Sequence, residues 1–92
     1  MTFILNKCYG GFSLSPFAME RIGVSDPYTC LTPLQVDALA ALIAEYGSEK
    51  CSGRFAKLKV VEVPDTITDW IMEEHDGIEV LIYVLDGKIH RA

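Results

Sequence analysis

The sequence predicts an α+β fold, a mostly antiparallel sheet with two helices packed on one face, in a single domain over residues 1–92. Three observations carry this. Half of the 92 residues are apolar, enough for one core in a chain too short for two domains. Helix start signals stand in the first half, at Ser15-Pro16 and Thr32-Pro33. Runs rich in β-branched residues, broken by glycine-bearing turns, fill the last third.

Thr2–Cys8 reads as a first strand, with Phe3 and Leu5 on one face and Ile4 and Asn6 on the other. Gly10-Gly11 breaks it. Ser15 then caps a short helix with Pro16 at its first position, and Gly23 stops it. Leu14 and Met19 are spaced as a hydrophobic staple. Thr32-Pro33-Leu34-Gln35 is the clearest start signal: Thr32 caps and Gln35 reaches back, for a helix to Tyr46 with Gly47 as a left-handed cap. That helix has almost no polar face, so it is expected to be covered on more than one side. A subunit interface or a central position in the core would each cover it.

Leu58–Val63 reads as a strand stopped by Pro64-Asp65. Trp70–Glu74 and Ile78–Leu85 flank a three-residue loop, His75-Asp76-Gly77. Residues 78–85 are nearly continuous apolar, and their β-branched content favours strand over helix. Asp86-Gly87 turns the chain into a short closing strand at Lys88–Arg91.

The net charge of −5 argues against general nucleic-acid binding. Charge is unevenly placed. Lys50, Arg54, Lys57 and Lys59 lie in one acid-free stretch, whereas residues 60–92 carry six more acids than bases. Either cluster serves as a solvated face, and a basic loop also suits a small anion. No apolar run approaches the ~18 residues of a membrane span. The opening residues lack the basic region and cleavage site of a secretory signal. Cys8, Cys30 and Cys51 form no CxxC pair, so reduced thiols in a cytoplasmic compartment are expected, with no metal and no cofactor.

The segment Asn6-Lys7-Cys8-Tyr9-Gly10-Gly11-Phe12-Ser13-Leu14-Ser15 leads a strand through two glycines to a helix start. Glycines admit close backbone approach, and free amides there attract anions. A ligand site is therefore expected at Lys7, Tyr9, Gly10, Gly11, Phe12, Ser13 and Ser15, with Arg54 from the basic loop. Neither nucleotide-binding glycine fingerprint is present, and a tight corner with Tyr9 and Phe12 in the core is the competing reading. His75 and His90 form no recognisable catalytic arrangement, and Glu73 and Glu74 point to opposite faces of a regular strand. No enzyme is expected.

The same segment, with Leu58-Lys59-Val60-Val61-Glu62-Val63-Pro64-Asp65, Trp70 and the acidic turn Glu74-His75-Asp76-Gly77-Ile78-Glu79, resembles a family of small tailed-phage and prophage proteins without an established activity. The Thr32–Tyr46 helix is more apolar, and the tail after Glu79 more strand-like, than that family implies. The resemblance implies a phage accessory protein acting on the host. Three functions compete: sequestration of an anionic, nucleotide-derived host signal, inhibition of a host protein through the acidic carboxy-terminal third, and a structural or regulatory phage component. A homo-oligomer is expected from the apolar helix, with Ala41→Glu as its probe.

Overall fold

The computed structural model describes residues 1–92. The chain runs β1 (Thr2–Asn6), α1 (Pro16–Ile22), α2 (Pro33–Tyr46), α3 (Ser48–Cys51), β2 (Leu58–Glu62), β3 (Asp69–His75), β4 (Ile78–Leu85) and β5 (Lys88–Arg91). The α+β class is as expected, and every strand pair is antiparallel. The strands divide into two sheets, however: a β1–β2 ribbon and a β3–β4–β5 meander.

Alternation along β1 builds both cores. Ile4 faces the helices with Leu14, Ala18, Leu39, Leu42, Cys51 and Leu58. Leu5 faces the other way, onto Val61, Val63 and Leu81, with Phe3 and Tyr83 packed alongside. The ribbon is therefore a middle layer between helices and meander, and its residues alternate between the two.

Local signals act as chemistry dictates. Ser15 Oγ accepts the Ala18 amide at 3.1 Å, and Gly23 takes the left-handed cap conformation (φ 78, ψ 35). Thr32 and Gln35 complete the capping box, at 3.2 and 2.9 Å. Gly47 differs from expectation: its ψ of 155 is extended, because the chain there leaves α2 and starts α3 at once. The loop at residues 75–77 is also shorter than expected. His75 pairs with Ile78, leaving Asp76-Gly77 as a two-residue turn with both φ positive, 53 and 90. Asp86-Gly87 repeats that geometry at 52 and 75, as hairpins with matching twist require.

Helix α2 is not covered on all sides. Leu39 and Leu42 are buried, but Leu34 is 82% exposed, and Ala38, Ala41 and Ala44 face outward. Helix α1 and the ribbon occupy one side of it, and no element of this short chain remains to cover the other.

Candidate functional site

The glycine corner is a packing joint. Gly10 lies so close to Phe55 that a side chain there would collide with the Phe55 backbone. Gly77, in the β3–β4 turn, presses on the Tyr9 and Gly11 backbone in the same way. Gly11 carries φ 85 and its N–H reaches the Cys8 carbonyl at 3.5 Å. Ser13 is buried, and its carbonyl accepts the Gly53 amide at 2.9 Å. Ser15 Oγ, already capping α1, donates to the Lys50 carbonyl at 2.7 Å. Phe12 packs on the helical core, while Tyr9 stands 75% exposed.

Lys7 turns away from the corner. Its Nζ donates to the Glu79 carbonyl at 2.6 Å and to the Ala92 carbonyl at 3.1 Å. Burial, and then the Lys59 charge, push its pKa below the ordinary lysine value, against a smaller pull from Glu79. The Ser15 hydroxyl and the Lys7 ammonium, both expected to meet one anion, are thus engaged within the protein, and the buried Ser13 side chain packs against Gly53.

Arg54 lines a different cleft, of about 640 Å³, with Lys57, Glu49, Ser48, Ser52 and Cys8. Both serine hydroxyls donate to main-chain carbonyls, Ser52 to Ser48 at 2.7 Å and Ser48 to Leu58. Ser52 Oγ also accepts the Leu58 amide at 2.9 Å. Lys50 leaves this group and sits over the Phe17 ring, 4.6 Å from its centroid. Two cations and one carboxylate therefore share an open cleft.

A second cleft, of about 560 Å³, opens between the segment before α2 and the meander. Phe12, Tyr28 and Leu31 line it from the helical side, Trp70 and Met72 from β3, Ile4 from its floor, and Glu79 from β4. Trp70 is held by an edge contact with Phe3, ring centroids 4.9 Å apart. The Glu79 carboxylate accepts the Asn6 amide at 2.7 Å through Oε1, and its other oxygen has no protein donor. Burial raises the Glu79 pKa above the ordinary glutamate value. The Asn6 bond and Lys7 oppose that rise, and the nearby Glu74 charge adds to it.

Asn6 anchors this arrangement. Fully buried, it donates to the Gly77 and Cys8 carbonyls at 2.6 and 2.7 Å, and its oxygen accepts the Lys57 and Cys8 amides at 2.9 and 3.3 Å. One side chain thereby ties the corner, the basic loop and the β3–β4 turn together. Asn6 and Glu79 were missing from the residues expected at a site, as was the aromatic lining from Tyr28 and Trp70. Their meeting leaves no periodic mark in the sequence. The single tryptophan, on a strand with no apolar alternation, is the one local hint.

No nucleophile–base pair forms. His75 Nε2 meets Glu73 at 3.3 Å, and His90 stacks on Tyr83 with centroids 5.2 Å apart. Burial raises the Cys51 thiol pKa, which keeps it protonated; Cys8 is half-buried and Cys30 exposed. No group of three or more His, Cys, Asp or Glu converges as metal ligands. No helix is long and apolar enough to cross a membrane. Comparison with protein-family models, with curated proteins and with solved structures finds no match.

Proposed function

We propose that this α+β protein is a non-enzymatic binding module that captures a basic, partly apolar segment of another protein. One observation carries the reading: the Glu79 carboxylate sits, half-buried, in a cleft walled by Phe12, Tyr28 and Trp70. Aromatic faces attract cations, and a carboxylate with one free oxygen gives a cation a charged acceptor. The acidic chain, at −5, draws a basic partner from a distance. In the phage setting that the sequence resemblance implies, the partner is a host factor in the reducing cytoplasm.

Self-association belongs to the same reading. The outer face of the meander exposes Ile71 and Ile89 beside Ile82 and Val84. Asp69 and Glu73 share that face along β3, and Arg91 along β5. A two-fold axis along the strands sets each acidic edge against the partner's basic edge.

Arg54 and Lys57 favour a second reading, in which their cleft receives the phosphate of a nucleotide-derived signal. Trp70 separates the two, because it lines the first cleft and not the second. Titration with lysine-bearing peptides should shift Trp70 emission. Saturation by a mono-, di- or cyclic nucleotide without an emission change, abolished by Arg54→Ala, would establish the second reading instead.

A further inference from the structure

Strand β1 lies between both cores yet pairs along one edge only, with β2. The Lys7 amide meets the Lys57 carbonyl at 2.8 Å and the Val63 amide meets the Met1 carbonyl at 3.0 Å, in register with Phe3↔Val61 and Leu5↔Lys59. The odd-numbered residues therefore exchange backbone bonds with β2. Thr2 and Ile4, opposite Glu62 and Val60, turn their N–H and C=O groups away from it. Asn6 bears this out, since its N–H points off the ribbon to Glu79.

That free edge is the floor of a channel. Ile4 lines the aromatic cleft, and Thr2 and Phe3 line an adjoining one of about 370 Å³; Leu31 and Val36 line both. We infer that the free edge of β1 accepts an extended peptide segment as an added strand, bonded to the backbone of Thr2 and Ile4. The inference rests on the binding reading above and names its mode and its partner: an extended segment with alternating apolar residues and a lysine or arginine near Glu79. An added strand shares the two faces of the ribbon. Its alternate side chains fall against Leu31 and Val36 on one face and against Trp70 and Met72 on the other. The five residues of β1 span about 17 Å, room for a segment of similar length. The β1 strand of a second copy does not fit as the occupant, because the helices and the meander packed on its two faces would meet the walls of the channel.

The test selects binders from a displayed library of random heptapeptides against the full chain and follows the best synthetic peptide by amide exchange. Saturation should slow exchange at Ile4 by more than about tenfold, as a newly formed backbone bond requires. N-methylation along the peptide should weaken binding at every second position, and not at those between. A library that yields no binder overturns the inference. So does a peptide that leaves Ile4 exchange unchanged or shows no alternation. If that peptide still shifts Trp70 emission, the binding module stands and the strand mode alone falls; if it does not, both fall. Protection of Ile4 in the free protein that fades on dilution would assign the edge to a second copy and overturn the inference.

Discussion

Two residues decide how the cleft is held. Asn6 is buried with both amide groups bonded, so Asn6→Ala leaves the Gly77 carbonyl and the Lys57 amide without a partner. The expected loss is about 2–4 kcal/mol, read by urea denaturation, from unsatisfied buried groups. A loss within ~0.5 kcal/mol, the level of a neutral surface change, would contradict the anchoring role. Glu79 behaves differently, because its raised pKa means that the folded state holds its proton more tightly than the unfolded chain does. Stability contributed by this group therefore falls as pH rises through the window between the ordinary glutamate value and the raised one. Glu79→Gln keeps an acceptor for the Asn6 amide and removes the charge. Melting curves from acid to neutral pH should show the variant more stable than the parent at neutral pH, with the difference shrinking in acid. An unchanged difference across that range would mean that the carboxylate is not desolvated. The same variant should bind lysine-bearing peptides more weakly than the parent.

Among the elements, those written in adjacent residues were the legible ones. Thr32, Pro33 and Gln35 carry the start of α2 within one turn, and Asp86-Gly87 carries a hairpin within two residues, so both were readable. Strand β4 was readable from its β-branched content. Helix α3 was not: Ser48–Cys51 is shorter than the apolar period that marks a helix. The division into two sheets was hidden because the β1–β2 pairing joins distant partners, Ile4 with Val60, whereas β3 to β5 pair through local hairpins and leave no mark of where the sheet ends. The cleft was hidden for the same reason, with Asn6 and Glu79 brought together from opposite ends of the chain. Lys7 misled because a lysine beside glycines looks free for an anion, whereas the fold spends it on two carbonyls. The α2 signal itself is testable. Thr32→Ala removes the acceptor for the Gln35 amide and should cost about 1 kcal/mol by thermal or urea unfolding. No measurable change would show that packing against the ribbon, not the cap, sets the start of the helix.

At the scale of the whole molecule, three layers leave two apolar faces open to solvent: the outer side of α2 and the outer face of the meander. The meander offers the larger side chains, with Ile89 74% exposed. Sedimentation at micromolar concentration should show self-association through that face, dispersed by Ile89→Lys and unaffected by Ala41→Glu. Dispersal by Ala41→Glu alone would move the interface to α2, and a monomeric parent would remove it.

Whether the aromatic cleft around Glu79 is where a basic peptide binds is decided by nitrogen–proton chemical-shift mapping with a selected peptide. Occupancy of the cleft should shift Thr2, Ile4, Asn6, Thr29, Leu31 and the Trp70 indole and leave Glu49, Gly53 and Arg54 unmoved. Shifts gathered at Glu49, Gly53 and Arg54, with the Trp70 indole and Ile4 still, would place the ligand in the other cleft and rule this one out.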